Sequence, residues 1–91
     1  MVDWFFVSAW LERNDTEIHF EIANEDGEQF YFWLSTELVN NKIKKSDGSA
    51  LDQFHYVEED MLSLALAILD DEIIESDDQV EITELLFDKY F

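Results

Sequence analysis

Residues 16–35 constrain the fold more than any other stretch. In "TEIHFEIA" the apolar Ile18, Phe20 and Ile22 alternate with Glu17, His19 and Glu21; after "NEDGE", "QFYFWLS" resumes with Phe30, Phe32 and Leu34 against Gln29, Tyr31 and Trp33. A period of two sends successive side chains to opposite faces, so each segment reads as a half-buried strand. Gly27 after Asp26 is a hairpin signal, since glycine supplies the positive φ that tight turns need. One face of the pair has to be covered, with Phe20, Phe30 and Phe32 in the core. The other presents Glu17, His19, Glu21, Tyr31 and Trp33.

The flanking segments extend this frame. In "DWFFVSAWLE", residues 3–12, Trp4, Phe6, Ser8 and Trp10 alternate with Phe5, Val7, Ala9 and Leu11, which predicts a strand covered on both sides. Trp4 or Trp10 is a candidate to join the core. The turn "RND" links this strand to the next, giving an antiparallel meander of three. Ser35 or Thr36 can cap a short helix, "TELVNNKIKK", with Lys42, Lys44 and Lys45 at the C-terminal end that the helix dipole favours for cations. "SDGS" breaks the pattern, and "ALDQFHYV" is open between a turn of helix and an extended segment.

From Val57 to Glu72 the apolar residues 57, 61, 64, 65 and 68 predict an amphipathic helix. "QVEIT" then reads as a short fourth strand and Thr83 as the cap of a closing helix, "ELLFDKY", the alternative being one helix over 79–90. The expected fold is α+β, a three-stranded antiparallel meander packed against two to three helices with a short fourth strand. The 91 residues suit a single domain, 1–91.

Charge sets the functional problem. Twenty-three Asp and Glu face five Lys and Arg, a formal charge of −18, and from residue 46 onward there are 14 acids and one base, Lys89. Repulsion at that density destabilises a compact state, and it argues against direct binding to nucleic acid or to an anionic membrane. Cationic partners remain. A hydrophobic content of 47% nevertheless distinguishes the chain from an acidic disordered tail. The N-terminus lacks a signal-peptide pattern and no apolar run reaches membrane length, so a cytoplasmic location is expected. Cysteine is absent, which excludes disulfides and thiolate metal sites.

Little in the chain points to catalysis. There is no Gly-x-Ser-x-Gly elbow and no phosphate-binding glycine loop, and carboxylate pairs are too abundant for any two to be nominated as acid and base. Glu17, His19 and Glu21 share a strand face at a spacing open to a divalent cation, but a solvated strand face is the preferred reading. "ESDDQVE" lacks the glycine and the Asp order of an EF-hand loop. No catalytic residue, cofactor or metal is therefore assigned.

The features left are acidic runs and polar-face aromatics. The runs are Glu58, Glu59 and Asp60; Asp70, Asp71 and Glu72; Glu75, Asp77 and Asp78; and Glu81, Glu84 and Asp88. Asp70, Asp71 and Glu72 fall at the C-terminal end of the expected helix, where the dipole opposes them. Tyr31 and Trp33 are candidate interface anchors, since aromatics within a charged rim supply affinity while the charges supply rate and selectivity. The competing expectation is that "ELLFDKYF" folds over that face and buries both rings.

In size and charge pattern, carried by these runs, the chain resembles the acidic DNA-mimic inhibitors of phages and mobile elements, of the anti-restriction and anti-CRISPR type. The resemblance implies a non-enzymatic inhibitor, often dimeric, in the host cytoplasm. Its partner would be a basic nucleic-acid-binding protein or nuclease complex, engaged through these carboxylates with Tyr31 and Trp33. Two alternatives stand beside it: an immunity or antitoxin protein that neutralises a cationic nuclease toxin, and a small α+β housekeeping domain with halophile-like acidity.

Overall fold

The computed structural model describes residues 3–43, 48–71 and 79–91. Its elements run β1 (Trp4–Glu12), β2 (Glu17–Asn24), β3 (Gln29–Ser35), α1 (Thr36–Lys42), α2 (Ala50–Tyr56), α3 (Glu58–Asp71), β4 (Gln79–Glu81) and α4 (Glu84–Tyr90). The strands form one sheet in the order β1-β2-β3-β4, antiparallel through β3 and parallel between β3 and β4. The fold is thus α+β, with the expected meander and the short fourth strand. A parallel neighbour cannot be reached by a hairpin, and the chain carries α1, α2 and α3 between β3 and β4.

The alternation in β2 and β3 is expressed as expected. Ile18, Phe20, Ile22, Phe32 and Leu34 are fully buried, while Glu17, His19, Glu21, Tyr31 and Trp33 occupy the opposite face, half-exposed. Phe20 is the hub of the core. It stacks on Phe32 at 5.4 Å between ring centroids, meets Phe54 of α2 at 5.2 Å, and stacks on Phe6 at 6.0 Å. Val39, Ile43, Met61, Leu64, Ala65, Ile68, Ile82 and Phe87 complete the same cluster from the helices and the last strand's exit.

Two sequence expectations change in β1. It is an edge strand, not one covered on both sides, and none of its nine residues is fully buried. A bulge between Phe6 and Ser8 shifts its register, so that Phe6 pairs with Ile22 but Ser8 with Glu21 and Trp10 with His19. One extra residue reverses the facing of everything beyond it. Trp4, Phe6, Ala9 and Leu11 pack on the core, and Trp10 turns to the open face instead of joining it.

Local capping explains the helix limits. Ser35 Oγ accepts from the Leu38 amide, and α1 ends at Lys42, with Ile43 as its cap; Lys44 and Lys45 lie outside the described residues. "ALDQFHY" is helical because Ser49 and Asp52 form a reciprocal capping box. Val57 separates α2 from α3, so the long helix begins at Glu58 and ends at Asp71. Thr83 caps α4 by accepting from the Leu86 amide, which selects strand plus helix over a single helix across 79–90.

The β2–β3 turn rests on Asn24, which is buried. Its Oδ1 accepts from the amides of Asp26 and Glu28 at 3.0 Å, and its Nδ2 donates to Glu28 Oε1. Gly27 adopts φ 86°, as the turn demands. Asn24→Ala removes the acceptor and strands two amides, so it should lower unfolding free energy by about 2 kcal/mol, read from urea denaturation followed by tryptophan fluorescence.

Candidate protein-binding surface

The partner-binding candidates divide between two sides of the sheet. On the helical side, Glu59 and Asp60 are exposed and Glu58 half-exposed in the first turn of α3, with Glu58 Oε1 2.6 Å from His55 Nδ1. Asp70 and Asp71 are exposed in the last turn, where no basic residue stands. Twelve residues of helix rise roughly 18 Å, so the two acidic groups cap opposite ends of one rod. Glu84 and Asp88 on α4 flank Lys42, at 3.5 and 3.1 Å from its Nζ, so this part of the acidic array is locally compensated. The Asp88 hydrogen bond, with Glu84 beside it, holds the Lys42 ammonium above the usual lysine range. Glu72, Glu75, Asp77 and Asp78 lie outside the described residues.

Tyr31 and Trp33 occupy the other side, and Glu81 joins them through its register with Trp33. The closing helix does not cover these rings. Phe87 of α4 inserts into the core from the helical side, and the Tyr90 hydroxyl donates to Asp71 at the end of α3.

What the sequence reading missed on this face is the row that the β1 bulge creates. Trp10, His19 and Trp33 are direct cross-strand neighbours and stack at 6.2 and 5.9 Å between centroids, with interplanar angles of 25° and 13°. Trp10 Nε1 donates to Glu12 Oε1 at 3.0 Å, and His19 Nε2 lies 2.9 Å from Glu17 Oε1. Glu12 and Glu17 oppose each other directly across β1 and β2, a like-charge placement that destabilises a sheet. Arg13 Nε approaches Glu17 Oε1 at 3.5 Å while its side chain stays 79% exposed. A cavity of about 310 Å³ opens here, lined by the three rings together with Glu12, Glu17, Arg13 and Gln79. The sequence signal was the polarity of Ser8 and Glu12, which share the parity of Trp10.

The turn beside this cavity is strained. Arg13, Asn14 and Asp15 all take positive φ, 52°, 57° and 65°, where Cβ crowds the backbone; Asn and Asp tolerate this better than Arg. Thr16 closes the turn by donating its amide and hydroxyl to the Arg13 carbonyl.

Among the described residues, no group of three His, Asp or Glu is arranged to hold a metal ion, Glu17, His19 and Glu21 included. No described helix is long and apolar enough to cross a membrane. Comparison with known families, characterised proteins and solved structures gives no significant match to this chain in sequence or in fold.

Two outcomes follow from this geometry. Arg13→Gly relieves the most strained position and loses only a loose, exposed ion pair, so it should stabilise the protein by about 1 kcal/mol, seen as a higher urea midpoint. The second concerns Tyr90. Its hydrogen bond to Asp71, with a smaller contribution from desolvation and against an opposing effect of Lys89, raises its pKa above the ordinary phenol value of about 10. A raised folded value means that this stabilisation is complete below the ordinary phenol range and is lost as pH rises through the folded value. Phenolate absorbance, with Tyr90→Phe as the subtraction, should place Tyr90 above the ordinary value, and Asp71→Asn should bring it down.

Proposed function

We propose that this chain is a non-enzymatic acidic inhibitor that takes the place of nucleic-acid phosphates on the basic surface of a nucleic-acid-binding protein, such as a host defence nuclease. The observation that carries this reading is the match of charge to shape. The body measures 37 × 23 × 23 Å and bears a formal charge of −18, whereas duplex DNA of that length carries about 22 phosphate charges. Five basic residues cannot neutralise twenty-three acidic ones, so most of the charge is available to a partner. The apolar core beneath α3 and α4 holds the described carboxylates on an ordered frame. Asp70 sits where the α3 dipole disfavours it by a few tenths to ~1 kcal/mol, a placement that partner binding can retain and stability alone would not. No chemical step is needed, since occupancy of a cationic groove suffices.

The aromatic row within acidic residues favours a second reading, an immunity or antitoxin protein seated on a cationic nuclease toxin. Aromatic anchors are what tight protein interfaces use, and phosphate mimicry alone does not require them.

Capture from a host lysate at low and at high salt, followed by elution with duplex DNA, tests the first reading, and recovery of a small cationic toxin in place of a multi-subunit nuclease favours the second. The inhibitor should retain a nucleic-acid-binding protein, release it as salt rises and lose it to DNA; retention that DNA leaves intact overturns phosphate mimicry. Asp70→Asn combined with Asp77→Asn and Asp78→Asn should weaken capture at least about tenfold, as expected for losing several charge contacts. Asp70→Asn alone should raise fold stability by a few tenths of a kcal/mol.

A further inference from the structure

We infer that the free edge of β1 is a pairing surface for a second copy of this chain, which adds its own β1 antiparallel and joins two four-stranded sheets into one of eight. This pairing does not depend on phosphate mimicry.

The two edges of the sheet differ in how they are protected. β4 is three residues long and carries Glu81, and short or charged edges are how sheets avoid unwanted pairing. β1 is nine residues long, with one side paired to β2 and no described strand on the other. Its stretch 4–11, "WFFVSAWL", holds no charge and no proline in a chain of which 31% is charged. Alternate N–H and C=O groups along such a run face outward and form a template for another strand. Phe5 and Val7 lie on the same strand, 48% and 45% exposed.

The bulge identifies the occupant. Before it, Trp4 and Phe6 pack on the core; beyond it, Ala9 and Leu11 do, and Trp10 lies on the open face. Two identical strands paired about a centre between Val7 and Ser8 therefore set Trp4 beside the partner's Leu11 and Phe6 beside the partner's Ala9 on the helical side. On the open side, Phe5 meets the partner's Trp10. Each pair keeps to one face, the self-complementarity that a two-fold interface requires of a single patch. A bulge normally spoils an edge for pairing. An unrelated regular strand has no counterpart for the extra residue, whereas a second copy sets bulge against bulge and the ladder resumes on either side.

Charge decides where two such molecules can meet. Each carries −18 and is 23 Å across its short axes, so most charges on two copies lie farther apart than ~8 Å, the screening length at about 0.15 M salt. At about 0.01 M the screening length grows to ~30 Å and the repulsion acts across the whole pair. Within the paired run, the facing charges are Asp3 and the partner's Glu12 at each end, a like-charge placement that weakens the ladder. One strand pair makes a small interface, so a dissociation constant on the order of 10 μM is expected.

The test is sedimentation velocity of the intact chain over a range of concentrations, at about 0.01 M and about 0.15 M sodium chloride. A dimer of the 10.8 kDa chain should form, at least about tenfold more tightly at the higher salt. Val7→Lys should weaken it at least about tenfold even though it lowers the net charge, because an edge lysine opposes strand pairing. Leu85→Lys, the same charge change at an exposed apolar residue of α4, should not weaken it. Asp3→Lys should tighten the dimer several-fold by facing the partner's Glu12, and by more than Asp26→Lys on the β2–β3 turn. The chain has no cysteine, so Val7→Cys, close to the two-fold axis, should give a disulfide-linked dimer on mild oxidation, and Leu85→Cys should not. Urea denaturation of each variant, at concentrations too dilute for the dimer, separates loss of pairing from loss of fold. A monomer at the higher salt up to about 1 mM chain, tighter association at the lower salt, or a dimer that Val7→Lys leaves unchanged overturns the pairing. These readouts need no natural partner, so failed lysate capture with the dimer intact removes phosphate mimicry alone.

Discussion

Burial of one face of β2 is the constraint on which the rest of the structure depends. Ile18, Phe20 and Ile22 are completely enclosed, and Phe20 contacts rings from β1, β3 and α2 at once. A fully buried aromatic brings several kcal/mol of burial and packing, and it does so only if every neighbouring element holds its register. The bulge in β1 satisfies that demand: without the extra residue, Phe6 and Ala9 could not both face the core. The same demand turns Trp10 outward. The aromatic row on the open face is therefore a by-product of the core's geometry, yet it is also the feature that gives this face its chemistry.

The charge has to be understood against that frame. Eighteen net negative charges repel one another in any compact state, and the apolar cluster must outweigh this before the protein folds at all. Some relief is local. Lys42 draws Glu84 and Asp88 together, Arg13 leans on Glu17, and the acids in the first turn of α3 meet a favourable dipole. Asp70 receives none of these, and Glu12 and Glu17 face each other across a strand pair. The uncompensated charge thus gathers in different places on the two sides, at the C-terminal end of α3 on the helical side and around the aromatic row on the open side. The two surfaces differ in physical character, the first in density of charge and the second in combining aromatic rings with charge.

The sequence made most of the fold legible because its signals are local and agree with one another. Alternation marked β2 and β3, Asp26-Gly27 marked their turn, Thr83 marked the start of α4, and the stripe at 57, 61, 64, 65 and 68 marked α3. The candidate surface was only partly legible. Tyr31 and Trp33 could be placed opposite the core from their parity, as could the acids of α3 from their place outside its apolar stripe. Trp10 could not, because an uninterrupted period of two was assumed through Val7 and a bulge leaves little mark on composition. Nor could the pairing of Lys42 with Asp88, 46 residues away, or the side of the sheet taken by α4.

By itself, then, the sequence determined that 16–35 is a strand pair with one apolar face, that an amphipathic helix follows near residue 58, and that the chain carries a formal charge of −18. These follow from periodicity, capping and residue counts, which act over a few residues or over the whole chain without regard to its path. Only the tertiary structure decided that β4 lies parallel beside β3, that α4 docks on the helical side and leaves Trp33 open, and that Trp10, His19 and Trp33 form one row with glutamates around it. Each of those depends on register between segments distant in sequence. Register is set by how the buried side chains interlock, which no single segment encodes.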